Sequence, residues 1–482
     1  MSGKTRVLCS FVPLFFSLLF AAQAAEIHVP DDFPAIQDAI DAAAAGDVVL
    51  VAPGTYMENI DFKGKAIAVR SERGPGVTVI DGNQSGSVVV FKNGEDVDSI
   101  LDGFTIQHGT GSSTMFFDLA GGGVFCAQKA SPLIRNNRIR WNSASGGGGI
   151  FANTACFPQI TDNLICENEV FGSTGLSAGG GIACLSALHI SRNVISRNEA
   201  ADGVGGGIFS EGDSTITDNI ICHNVASDGG GIACDLCTLV VVNNTIVGNS
   251  ALGGGGISAI LDSSLTVANT ILWANSAWYG SAVSLGNTWQ ASYLDMDYSD
   301  VEGGVGSIYL AQGCGMNWGA HNVDSDPLFV EPGRQDYHLT FYSPCKDVGD
   351  DGAAQSVVDF EGDPRSAFGR VDMGADEFSC HLYCTADSLV PGSMVDFKVA
   401  GEPGEPVTAG LGAGILDPPR PTLFGDLFLA DPMVTFGLGF VPARGIVART
   451  AFVPAGTPSF KQYPFQALVG DELSNLLVIT VE

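Results

Sequence analysis

Between residues 120 and 285 the apolar positions follow no helical period; they return in short runs at a nearly fixed interval. Aliphatic side chains stand at Val124, Ile150, Ile182, Ile208, Ile232, Ile257 and Val283, which are 26, 32, 26, 24, 25 and 26 residues apart. Gly-Gly-Gly precedes each except the last, where the phrase is Gly280-Ser281-Ala282. A second aliphatic column, Ile139, Ile165, Ile195, Ile221, Ile246 and Leu272, keeps the same step. Two polar columns bracket it. One runs Asn137, Asn163, Asn193, Asn219 and Asn244 and ends at Thr270; the other runs Asn142, Asn168, Asn198, Asn224, Asn249 and Asn275. A period of about 25 residues means one unit stacked on itself. Short β-type runs such as 160–162 and 182–184, separated by Asn or Gly corners, predict an all-β chain wound as a single-stranded, right-handed parallel β-helix.

Each column has a physical expectation. Glycine supplies positive φ and lets neighbouring coils approach. Asparagine tolerates the left-handed region at corners, and stacked amides can bond along the axis. The aliphatics fill the core. Cys126, Ala152, Cys184, Ser210, Cys234 and Ala259 form a column of small inward filler. Its cysteines are two coils apart, about 9.6 Å, which exceeds the roughly 7 Å Cα separation a disulfide can span.

The flanks depart from this period. Residues 34–45 predict a short amphipathic helix, stopped at Gly46, that caps the open end of the first coil, which begins at Val48–Val51. Looser coils follow through 77–80 and 100–106, and coils with insertions continue to about 345, giving roughly twelve in all. After Cys384 the period vanishes. Short apolar runs such as 394–399 and 476–481 predict a small C-terminal β-sandwich-like domain. The layout is therefore a leader over 1–24, the β-helix over 25–378 and an accessory β-rich domain over 385–482.

Composition narrows the setting. Lys4 and Arg6, the apolar stretch 7–20 and Ala22-Gln23-Ala24 have the order of a secretory signal, so the protein is expected to be secreted or held on the outer cell surface. No later stretch reaches the roughly 20 apolar residues a spanning helix needs. The formal charge of −31 argues against nucleic acid as a partner. Eleven cysteines remain after the leader, so one at least is unpaired; Cys314–Cys345 and Cys380–Cys384 are the expected disulfides.

Ala35-Ile36-Gln37, Gly46-Asp47-Val48, Pro53-Gly54-Thr55-Tyr56 and Glu58-Asn59 resemble the opening of the pectin-lyase-like β-helix superfamily. The repeats resemble those of bacterial secreted and polymorphic outer-membrane-type proteins. Tyr298 to Gly304, Asp326 to Phe329, Ser343-Pro344-Cys345, Gly362 to Arg365 and Val371 to Ala375 are similar to the segment that closes such β-helices. The resemblance implies the fold. It also brings an enzyme into consideration, since that superfamily includes lyases that use carboxylate-held calcium and an arginine base, glycoside hydrolases and methylesterases. The hydrolase phrases Gly-His-Gly and Arg-Ile-Lys are missing, and the seven histidines show no ligand spacing.

One charged constellation breaks the uniform columns. Just before the first Asn column, three consecutive coils carry Asp162, Arg192 and Asp218; just before the second they carry Glu167, Arg197 and His223. Stacked at coil spacing, these side chains either pair to avoid like-charge contact or form a sugar-binding strip with Trp141 or Trp273 as a stacking platform. A second cluster, Asp347, Asp350, Asp351, Asp359 and Asp363, offers hard oxygen ligands for calcium as a cofactor, without EF-hand spacing. The expected function is an exported, non-catalytic β-helix presenting a long surface to a polysaccharide or cell-surface component. The alternative is a lyase or glycoside hydrolase acting on acidic polysaccharide.

Overall fold

The computed structural model describes residues 24–378 apart from 172–176, 287–290 and 366–368, together with strands between 382 and 481. Residues 1–23 of the expected leader and the Cys380–Cys384 pairing lie outside the described residues.

The chain winds as a parallel solenoid with three walls. The first wall has ten strands, among them Ile150–Ala152, Ile182–Cys184 and Ile208–Ser210, each directly behind its glycines. The second has twelve, from Glu26–Val29 to Gly315–Trp318, and includes His189–Ser191. The third has ten, from Gly54–Tyr56 to Asp300–Val301, and includes Arg138–Arg140 and Val194–Ser196. A short four-strand edge, Ser143–Ala144 to Val225–Asp228, lies between the third wall and the glycines. Register is in phase with the sequence columns: Ile150 pairs Ile182, Ile182 pairs Ile208, and Ile165 pairs Ile195. The aliphatic columns and the Cys/Ala/Ser column are fully buried in one continuous core.

The glycines divide their work. The first of each triplet, such as Gly179 and Gly205, holds φ near +68°. The other two allow coil-to-coil contact: a Cβ on Gly206 would fall 2.5 Å from the Gly230 carbonyl oxygen of the next coil. The asparagines differ from expectation. Positive φ belongs to the residue before each Asn, such as Arg192 (+53°) and Arg197 (+53°). That arrangement turns the Asn inward, where it is buried and forms the ladder. Asn163 Nδ2 donates to Asn193 Oδ1 at 3.0 Å, and Asn168 Nδ2 to Asn198 Oδ1 at 3.0 Å. Each amide also donates to a wall carbonyl of the preceding coil, as Asn198 Nδ2 does to Ile165 at 2.9 Å.

The N-terminal helix is Ile36–Ala42, with Ile36, Ala39 and Ile40 buried on the coil end. No side chain of its own caps it. The Glu58 carboxylate accepts the Ile36 and Gln37 amides instead, both at 3.0 Å.

The other end corrects the expectation that coils run to about 345. After Trp318 and a bridge at Val323 the chain leaves the solenoid. Its antiparallel hairpin, Phe329–Glu331 with Asp336–Leu339, and the loops through Phe378 fold back across the outside of the third wall. This strap places Leu339, Cys345, Met373 and Phe378 against Ile271, and Tyr337 and Ala375 against Ile220, Cys222 and Val247. The disulfide Cys314–Cys345 is absent, because the wall separates the two thiols. Cys314 packs on the solenoid interior, whereas Cys345 lies in the strap with its Sγ 3.1 Å from Asp300 Oδ2.

Beyond the strap the described strands are chiefly antiparallel, in agreement with an all-β C-terminal region. Met394–Ala400 pairs with Ile446–Phe452, and Pro406–Gly412 lies between Met433–Phe440 and Gln462–Val469.

Candidate functional site

The αL corners of the third wall hold every charged residue of the expected strip. A positive φ at the corner sends its side chain outward while the next residue, the ladder Asn, turns in. The structure then divides the strip into a covered part and an open part.

The strap covers Asp218 and packs on Trp273, and it touches His223, which stays exposed. Asp218 Oδ1 accepts Arg365 Nη2 at 2.6 Å and Nε at 3.1 Å, with the two side chains 2% and 3% exposed. The same guanidinium donates to the Gly374 and Ala375 carbonyls and thereby fixes its own loop. His223 Nε2 lies 2.9 Å from the Tyr337 hydroxyl. Trp273 packs between the apolar clusters of the strap and the wall, so it is no stacking platform. The strip is accordingly shorter than its sequence column.

In the open part the charges are largely paired. Arg192 chelates Asp162, with Nε to Oδ1 at 2.7 Å and Nη2 to Oδ2 at 2.9 Å, and bonds Thr161 Oγ1 as well. Asp162 is the leading cause of the raised Arg192 pKa. The expected acid–Arg–acid stack thus resolves into two separate pairs. Arg197 is looser: it is 57% exposed, 3.8 Å from Glu167, and its Nε donates to the Gln335 amide oxygen at 3.2 Å once that amide is turned to face it. Trp141 is half exposed, with the Arg140 guanidinium 3.9 Å from its ring centroid and His108 stacked at 5.9 Å.

The calcium candidates do not converge. Asp350 Oδ1 caps the Gly352 amide, Asp351 Oδ1 accepts the Val371 amide, and Asp347 lies 3.9 Å from Lys346. Asp359 Oδ1 takes the Glu361, Gly362 and Asp363 amides of its own turn. Among the described residues no group of three or more His, Cys, Asp or Glu side chains is placed to hold a metal ion.

Sequence reasoning missed the buried carboxylates beneath the strap. Asp359, Asp372, Asp376 and Glu377 share this interior with Asp218 and one guanidinium, Arg365; beside them His338 is paired with Asp336 and Glu361. Burial first, and neighbouring carboxylates second, push Asp359 and Asp372 up to about 7 and Glu377 up to about 9. Burial opposes the charge on His338, but Glu361, Asp376 and Asp336 outweigh it and raise its pKa. A carboxyl whose folded pKa is raised binds more protons folded than unfolded, so its stability contribution is complete below about 4 and is lost as pH rises through the folded value. Strap docking is therefore expected to weaken between about pH 5 and 9. Hydrogen exchange of residues 359–377 at both ends of that window checks this, and Glu377→Gln should flatten the slope. Protection that rises with pH would contradict the sign.

The stacked coils, Asn ladders and glycine corners define the class: this is a right-handed parallel β-helix repeat protein, consistent with the pectin-lyase-like superfamily. The family model described as right handed beta helix region matches residues 87–272. No curated protein matches the chain.

Proposed function

We propose that the protein is an exported, non-catalytic β-helix that holds a polysaccharide or another cell-surface component along its outer face. The pairing of the strip carries this reading. Arg192 is chelated by Asp162, and Asp218 is sealed beneath Arg365, so the groups that acid–base chemistry on a sugar needs are bound to one another. The structure supplies a rigid exterior of aligned corners, which suits binding to an extended polymer.

The alternative, a lyase, rests on Arg197, the exposed guanidinium of the strip, with Glu167 beside it. Incubating the full chain with polygalacturonate and calcium tests both readings. Retention on cell-wall polysaccharide without growth of ultraviolet-absorbing unsaturated ends is the expected result. Product formation abolished by Arg197→Ala would put the lyase in its place.

A further inference from the structure

The half of the solenoid on the C-terminal side of the charged strip has a different surface. From residue 198 to residue 333 the sequence contains no lysine or arginine, while acidic residues continue throughout. On the edge that follows the third wall, successive coils of this half expose Leu252 and then Trp278 and Tyr279; Tyr309 is exposed on the adjoining first wall, where it pairs with Ser284. Trp278 is 88% exposed. Backbone pairing fixes the row: Gly253 bridges Tyr279 in parallel, and the Trp278 amide donates to the Leu252 carbonyl at 3.0 Å. The Tyr279 and Tyr309 rings lie 4.9 Å apart, tilted by 51°.

At the foot of this row sits Asp228. A Cβ on Gly253 would meet the Tyr279 ring at 2.5 Å and Asp228 Oδ1 at 2.6 Å, so the absent side chain is what lets ring and carboxylate stand together. Among the described residues Asp228 has no hydrogen-bonding or ionic side-chain partner, and burial alone raises its pKa. Exposed aromatic rings gathered at one glycine corner, from the edge and the adjoining first wall, beside a free acceptor suit a particular ligand chemistry. The C–H face of a pyranose stacks on an aromatic ring, and its hydroxyls donate to a carboxylate. A row this open forms no cage around a single cation, and the lack of basic residues with the surrounding carboxylates repels a polyanion.

We propose that Trp278, Tyr279 and Tyr309, with Asp228 as acceptor, form a binding ridge for an uncharged polysaccharide, distinct from the charged strip. The ridge rests on the polysaccharide-binding reading above and names its site and ligand class.

The test is affinity electrophoresis of the full chain through gels holding hydroxyethylcellulose, galactomannan or polygalacturonate, with light scattering on the same samples. Retardation is expected in at least one uncharged polymer, and it should persist in high salt. Trp278→Ala, whose exposed ring makes it safe for folding, should weaken that retardation about tenfold, as loss of an aromatic anchor does. Asp228→Asn should weaken it less, and Met115→Ala, which removes an equally exposed side chain outside the ridge and the strip, should leave it unchanged. Binding to polygalacturonate alone, or binding indifferent to Trp278→Ala, would overturn the ridge and leave the wider reading intact. Retardation by none of the polymers would overturn both. A dimer that Trp278→Ala dissociates would assign the ridge to a second copy of the chain and likewise overturn the proposal.

Discussion

Arg365→Ala is expected to destabilise the docked strap by about 3–5 kcal/mol, the usual result of removing one partner from a buried ion pair. Asp218 would be left in a site 2% exposed without its guanidinium partner, and the carbonyls of Gly374 and Ala375 would lose that donor. The coils do not depend on this pair. Their ladders run between neighbouring turns, so β-structure by circular dichroism should survive while residues 327–378 lose exchange protection and become cleavable. Combining Arg365→Met with Asp218→Asn should recover much of the loss, because both charges then leave together. Equal destabilisation by the single and double variants would show that packing, and not the buried charge, holds the strap.

Asn198→Ala is expected to cost as much or more, and to act on the coils themselves. Asn198 Oδ1 accepts the Asn168 amide at 3.1 Å and Asn168 Nδ2 at 3.0 Å; its own Nδ2 donates to Ile165 O and to Asn224 Oδ1. All of these groups are buried. Each one stranded costs about 1–3 kcal/mol, so the sum is on the order of 4 kcal/mol or more. Chemical denaturation should show the drop, and Asn198→Asp should not rescue it, since a carboxylate replaces the donor. The outward-facing neighbour makes the control: Arg197→Ala, one residue away, should change stability by less than about 1 kcal/mol. Comparable losses from the two variants would refute the ladder's role.

The repeat was legible in the sequence because a solenoid's contacts are local in register. Gly206, Asn198 and Ile195 meet their counterparts one period away, so a column in the sequence is a column in space. The division of labour at each corner was half legible: asparagine marked the position, but only the backbone shows that Arg197 carries the positive φ and Asn198 the buried ladder. The strap was not legible. Arg365 meets Asp218 across 147 residues, and no period relates the two. A partner so distant leaves no mark in a column, so Asp218 and Arg192 read as one stack when they belong to two pairs. The same blindness hid the covering of Trp273 and placed Cys314 and Cys345 on opposite sides of a wall.

The strap also changes how the rod answers force. Without it, a pull at the C-terminal end would peel one turn at a time, each yielding alone. The strap lies across turns that carry Arg197, His223, Asn243, Asn269 and Asp300, touching each in passing. Tension entering from the chain beyond the strap must therefore load about five turns in shear before any one can unwind. A chain held at that end should resist extension up to a single high threshold and then fail in one large step.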